Sequence, residues 1–408
     1  MSVSQPPVRT GETAGASPDI PDARATVPDA VAPPPRHPRF PLFDGLRAIA
    51  VLAVLGAHLP TRDLPHFLQR FAAHLSVGVV IFFVVSGFLL YRPFIAARAG
   101  GAASPAVGDY AKRRFLRIYP AYWLVLTVLT ILPGTVGVQG SNPVPQYALV
   151  QTLPVAGGPT CTVLCDLGQT WSLVAEVTFY TLLPLYALVA LWLTRGLERR
   201  TWMRVELGIL AVLAAVSVFF AFVSPGGGTP SPWITNTALG YWLLFAIGMG
   251  LAVASVVLGG GERQPALLRM AASNPIVPWL IAIAAYVALC FWLPLVPFNR
   301  TDRLVSFVGF GLVAALVVLP AVFGDGRTGL PRRVLAHPLI AWIGLISYGI
   351  FLWHFAIAEE IARDMPYVLA LVVTLALSVA VAAVSYYVVE RPILRFKYRR
   401  FRDLFGHG

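Results

Sequence analysis

The chain has 408 residues, 57% of them hydrophobic and 12% charged, with a net charge of +12 and a mean hydropathy of +0.72. Soluble domains carry about 25% charged residues, so this composition excludes a soluble globular protein and indicates an integral membrane protein. The positive charge falls in short segments between apolar runs, whereas nucleic-acid binding would need it gathered on one exposed domain.

Residues 1–39 are rich in Pro, Ala, Asp and Thr and end in Pro33-Pro34-Pro35-Arg36-His37-Pro38-Arg39. Nothing there can bury a core, so a disordered cytoplasmic tail is expected, with no cleavable signal peptide. Ten apolar stretches follow, centred near Val51, Phe83, Val128, Leu182, Ala214, Ala246, Ala284, Val313, Ile350 and Ser378. Only Ala362 to Pro366 separate the last two, which predicts a tight helical hairpin. With the N-terminus inside, 25 of the 31 Lys and Arg residues lie on the inner side and five outside, and Arg47 falls within the first span. That bias predicts an all-α protein of about ten transmembrane helices, N-in and C-in, in the cell inner or plasma membrane. Its membrane domain covers 40–395, and 396–408 form a basic cytoplasmic tail. The inner loops are short, so chemistry has to occur among the helices.

The first span, Phe43 to Leu59, carries Arg47 and His58, eleven positions apart. At about 100° per residue this is within about 20° of three whole turns, so the two side chains share one face, about 16 Å apart along the axis. A buried cation costs about 2.5–3.5 kcal/mol on insertion scales, which favours a lined cavity. The plainer alternative has Arg47 snorkelling to headgroups and His58 closing the outer end. In the second span Ser86-Gly87 is a small pair that lets another helix approach, a packing role first of all. The first inner loop ends Lys112-Arg113-Arg114-Phe115-Leu116-Arg117-Ile118-Tyr119-Pro120. Arg114 and Arg117 share a helix face and can fork onto phosphate oxygens, or simply supply positive-inside charge near anionic lipid. Convergence with Arg47 on one inner mouth favours the fork.

Cys161 and Cys165 lie in an outer loop where a short disulfide is one option, and Cys290 reads as a small core residue. Three cysteines exclude a disulfide scaffold or a Cys-rich metal site. The fourth span opens at Trp171 and places Glu176 about two turns in, at a depth resembling that of His58; a carboxylate there wants a partner, either an imidazole such as His58 or, in a plainer structural role, the backbone or a Tyr hydroxyl. The ninth carries Ser347, Tyr348 and His354, and His354 either joins that cluster or is a hydrogen-bonded core histidine. Glu390-Arg391-Pro392 closes the last span in a structural role.

Together these blocks resemble the membrane-bound acyltransferase family 3, O-acyltransferases that modify cell-surface polysaccharides, peptidoglycan and macrolides. The likeness covers about Phe40 to Arg395. It rests on Arg47-x10-His58, Phe83-Val84-Val85-Ser86-Gly87-Phe88, Arg114-x-x-Arg117, Trp171 through Glu176 to Tyr180, Ser347-Tyr348 through His354, and Glu390-Arg391-Pro392. Val177 departs from the pattern where many members carry a second acidic residue. A stand-alone form without a fused SGNH-type domain is expected.

The resemblance implies an acyl-CoA donor, often acetyl-CoA, a hydroxyl acceptor on a glycan, glycolipid or macrolide, and no metal. Under it Arg47, Arg114 and Arg117 would hold the donor's phosphates. His58 would be the general base, Glu176 would orient it, and His354, Tyr348, Ser86 and Trp171 would face the acceptor. Membrane lipids are the remaining partners. A polytopic transporter or flippase is the rival class, and no paired broken helices in matching halves support it.

Overall fold

A computed structural model of the chain describes residues 42–132, 143–151, 167–223, 237–258, 265–295, 299–324 and 328–398. Cys161 and Cys165, the N-terminal tail, residues 399–408 of the C-terminal tail and much of the expected outer loop lie outside these residues. Each of the ten apolar stretches falls on a helix. In chain order, leaving short helices at Val144–Tyr147, Ala266–Ser273 and Arg391–Leu394 unnumbered, the helices are α1 (Leu42–Ala57), α2 (His66–His74), α3 (Val77–Ala99), α4 (Val107–Ile131), α5 (Trp171–Leu193) and α6 (Arg199–Val223). They continue with α7 (Trp242–Val257), α8 (Ile276–Trp292), α9 (Arg300–Val322), α10 (Leu330–Leu335), α11 (Pro338–Leu345), α12 (Ser347–Glu360) and α13 (Tyr367–Ser385). Among the described residues there is no strand, so the protein is an all-α integral membrane protein.

Among the described residues six helical segments are long and apolar enough to cross a membrane, or seven if α11 and α12, bent by 70°, count as one broken span. The sequence expectation of about ten spans differs mainly through length. Helix α1 has 16 residues, which is about 24 Å against a hydrocarbon core of about 30 Å. Helices α7 and α8 have 16 and 17 residues. Hydropathy counts apolar turn residues along with helical ones, and the helices here stop short of the apolar runs.

Local signals set several boundaries. Helix α9 begins in a capping box, in which the Asn299 side chain accepts from the Asp302 amide at 2.8 Å and the Asp302 carboxylate accepts from the Asn299 amide at 3.4 Å. The α12–α13 hairpin closes as expected, and the Asp63 carboxylate caps it by accepting from the Tyr367 amide at 3.0 and 3.1 Å.

Glycines let the central helices touch. A Cβ at Gly87 of α3 would stand 2.2 Å from the Phe245 carbonyl oxygen, and one at Gly248 of α7 would stand 2.0 Å from that of Val84. The pair Ser86-Gly87 therefore admits a neighbouring backbone, as its size suggested. Helix α1 sits between two cores. Leu46 and Ala50 pack with Phe88, Phe179 and Phe245 on one side, while Val51, Val54 and Leu55 pack with Tyr122, Val174 and Leu352 on the other. Its N-terminal end is gripped too, since a Cβ at Gly45 would meet the Leu335 carbonyl and one at Gly344 the Asp44 carbonyl. Helix α1, which carries Arg47 and leads into His58, is thus packed on two sides, while Val212, Phe219, Leu280, Val368 and Val384 on α6, α8 and α13 are exposed, as lipid-facing residues are.

Candidate active site

Helix α1 ends at Ala57, and His58 sits in the turn that follows, its amide bonding to the Leu55 carbonyl at 3.2 Å. The imidazole Nδ1 lies 2.8 Å from the Val54 carbonyl oxygen and 3.3 Å from Nε2 of His354. The two rings meet edge to face with centroids 5.1 Å apart, and Phe355 packs against His58 from another side at 5.5 Å. His354 is fully buried, and its Nδ1 lies 2.7 Å from the Phe351 carbonyl oxygen and 3.2 Å from that of Ile350. His58 is half-buried and keeps an accessible edge. His354 is thus a hydrogen-bonded core histidine that also meets His58, one of the two members of the cluster expected for it.

Glu176 stands elsewhere. Its carboxylate accepts from the Ser86 hydroxyl at 2.9 Å and from the Tyr180 hydroxyl at 2.8 Å. It lies within electrostatic reach of Arg47 and Arg114, and it makes no hydrogen bond to His58. The depth expected for it is corrected by where α5 starts. Gln169, in the turn of 3-10 helix just before α5, donates to the carbonyls of Phe351 at 3.4 Å and Leu352 at 3.2 Å, level with the histidines. Seven residues further on, about 10 Å along the axis, Glu176 has moved toward the arginines. Ser86 is also more than a packing residue; its neighbour Gly87 makes the close helix contact while its own hydroxyl serves the carboxylate.

At the other end of α1 the three arginines converge as expected. Arg47 lies within electrostatic reach of Arg117, Arg114 and Tyr180, and its own loose partner is Asp44 at 3.5 Å. The Arg114 guanidinium sits 6.0 Å from the centroid of the Tyr180 ring, and its buried Nε has no hydrogen-bond partner among the described residues. Arg117 faces the Tyr348 ring at 5.7 Å and the Glu390 carboxylate at 3.7 Å. Glu390, expected only to close the last helix, thus reaches the arginine group from a turn of π-helix, Tyr386–Glu390. Tyr348 belongs here too, its hydroxyl donating to the Ile118 carbonyl at 2.9 Å, so its place is beside the arginines and not on the histidine side. Trp171 packs against Tyr241 at 5.2 Å and Phe83 at 6.3 Å.

The arrangement has two polar centres on one helix: paired imidazoles at the end of α1, and three arginines with Glu176, Ser86 and Tyr180 toward its beginning. Arg47, Ser86, Arg114, Arg117, Glu176 and Tyr180 all keep partial accessibility, and hydrogen bonds and electrostatic contacts join them from α1, α3, α4 and α5. Gln169 was missed by sequence reasoning, while the Tyr hydroxyl that the plainer reading of Glu176 called for is supplied by Tyr180. Gln169 carries no local signature, whereas Tyr180 follows Glu176 by one helical turn, a spacing that was readable.

The sequence profile described as an acyltransferase domain matches residues 41–390. The putative peptidoglycan O-acetyltransferase YrhL of Bacillus subtilis is 26% identical over 91% of this chain and 57% of its own length. The peptidoglycan O-acetyltransferase OatA of Listeria monocytogenes is 25% identical over 86% of this chain and 55% of its own length. The acyltransferase MdmB of Streptomyces mycarofaciens is 27% identical over 90% of this chain and 95% of its own length. The chain therefore spans just over half the length of the first two relatives and nearly all of the third. No solved structure matches it.

Proposed function

The chain belongs to the acyltransferase domain family, and on that premise we propose that it moves an acyl group, acetyl in the first instance, from acyl-CoA to a hydroxyl of an envelope glycan such as peptidoglycan. The observation that carries the reading is an accessible imidazole just past one end of α1 and, toward its other end, three guanidinium groups converging from α1 and α4. Arg47, Arg114 and Arg117 supply the planar, permanently charged donors that bind phosphate oxygens, and the unpartnered Nε of Arg114 is a donor in search of an acceptor. Glu176, held by Ser86 and Tyr180, offsets part of that charge and fixes its geometry.

From the arginines the pantetheine arm runs along α1 toward His58, about 16 Å away. There Nε2 of His58 takes the proton of the acceptor hydroxyl as its oxygen attacks the thioester carbon. The carbon–sulfur bond breaks, and the leaving CoA sulfur takes the electron pair and then the proton held on His58 Nε2, which restores the neutral base. General-base assistance of this kind contributes about 10²–10⁴-fold.

The test compares wild-type and His58→Ala protein in membranes supplied with labelled acetyl-CoA. Ester formation on envelope glycans, followed by mass spectrometry, is expected to disappear in the variant while its membrane insertion is retained. Unchanged acylation by a folded His58→Ala protein refutes the reading.

A further inference from the structure

The contacts of the two histidines fix where their protons sit. A carbonyl oxygen accepts and cannot donate, so an imidazole nitrogen aimed at one must carry hydrogen. Nδ1 of His354, 2.7 Å from the Phe351 carbonyl, is therefore N–H, and the neutral ring presents a bare lone pair at Nε2. That lone pair points at Nδ1 of His58, 3.3 Å away. Nδ1 of His58 must itself carry hydrogen, because it faces the Val54 carbonyl at 2.8 Å. Its N–H is thus shared between two acceptors, and the proton-free nitrogen of the His58 ring is Nε2.

We propose that His354 is a positioning residue, which locks His58 in the Nδ1–H tautomer and leaves Nε2 as the proton acceptor. The proposal rests on the reading of His58 as general base and assigns to His354 the orienting part that the sequence had given to Glu176. A third group that holds the base in the correct tautomer and stabilises its cation is what an acyl-transfer base requires, and loss of such a group costs up to about 10⁴-fold in kcat. His354 suits the part because nothing else moves it. Its ring is fully buried, and the Phe351 carbonyl that fixes its Nδ1 proton is itself engaged by the Gln169 amide at 3.4 Å. When His58 becomes an imidazolium, its Nδ1–H stays in place between the Val54 oxygen and the His354 lone pair. The new charge then meets two acceptors without any side chain turning.

Two variants and one spectrum test this with the full-length chain in detergent. His354→Phe keeps a ring and removes the acceptor, while His354→Gln returns an amide oxygen at about the reach of Nε2. With acetyl-CoA as donor and a disaccharide–peptide fragment of peptidoglycan as acceptor, His354→Phe is expected to lower kcat by about 10²–10³-fold, and the KM for acetyl-CoA should hold within about twofold. His354→Gln should recover at least tenfold of that loss. Nitrogen-15 spectra of histidine-labelled wild-type protein should show His58 protonated at Nδ1, with the tautomers mixing in His354→Phe. A His354→Phe protein turning over at the wild-type rate, beside an inactive His58→Ala, overturns the role of His354 and leaves the base reading standing. Activity in His58→Ala removes both. Should neither variant fold, a wild-type spectrum with His58 protonated at Nε2 overturns the proposal by itself.

Discussion

Arg114 combines three properties that seldom meet in one side chain. It is charged, it lies beside the Tyr180 ring, and its buried Nε is unpartnered among the described residues. An anion with several oxygens would complete it. Hydrogen bonds to charged groups contribute about 1.5–3 kcal/mol, so Arg114→Gln is expected to raise the KM for acetyl-CoA by about 10- to 100-fold with kcat little changed. Steady-state kinetics at fixed acceptor checks this, and a loss confined to acceptor affinity contradicts it. Arg332 is the opposite case. It is fully buried and spent on carbonyl oxygens, donating to Pro320 at 3.1 Å, Ala272 at 3.0 Å and Phe323 at 2.6 Å, where two helices end. Arg332→Leu strands these acceptors, each worth about 1–3 kcal/mol when buried without a partner, so a fall in thermal stability of at least about 3 kcal/mol is expected in a detergent melt. Sequence counting placed Arg332 among the inner-loop charges. A cation held by backbone carbonyls leaves no pattern in side-chain chemistry, and only the fold distinguishes it from Arg114.

Helix positions were the most legible part, because a 20-residue apolar run constrains structure more than any single residue does. The close contact at Gly87 and the α12–α13 hairpin could be read in advance for the same local reason: small side chains, and a connection too short for anything else. The packing of α3, α5 and α6 through Glu206 could not. Its carboxylate accepts from Tyr91 and from Tyr186, the latter at 2.7 Å, and pairs with Arg98 at 3.7 Å, joining residues up to 115 positions apart. Helix contacts give an internal control. Gly248→Ala sets a Cβ against the Val84 carbonyl, and the helices must part, so loss of thermal stability by about 1–3 kcal/mol is expected. Gly208→Ala in α6 meets nothing within 4 Å and should gain about 0.5–1 kcal/mol from helix propensity. Equal behaviour of the two variants in a melt would mean that α3 and α7 are not held by backbone approach.

Across the whole molecule, the six sequence blocks come together on one bundle and form two centres, as the separation of about 16 Å between Arg47 and His58 implied. Glu176, however, stands with the arginines and not with the imidazole. Residue types and helix faces were readable, since Arg47, Arg114 and Arg117 do converge and His58 and His354 do meet. Relative height was not, because it depends on where each helix begins. The turn of 3-10 helix ahead of α5 carries Glu176 away from the imidazoles. That division has a measurable consequence. Sites more than about 7–10 Å apart with no shared partners combine additively to within about 0.3–0.5 kcal/mol, a factor of about two. Arg114 and His354 stand at the two centres and touch none of the same groups. In a double-mutant cycle, Arg114→Gln with His354→Gln should therefore multiply their separate effects on kcat/KM to within about twofold. Had Glu176 bridged the two centres, the cycle would fall short of the product by tenfold or more. Kinetics alone can thus tell a continuous charge relay from two independent centres spaced along α1.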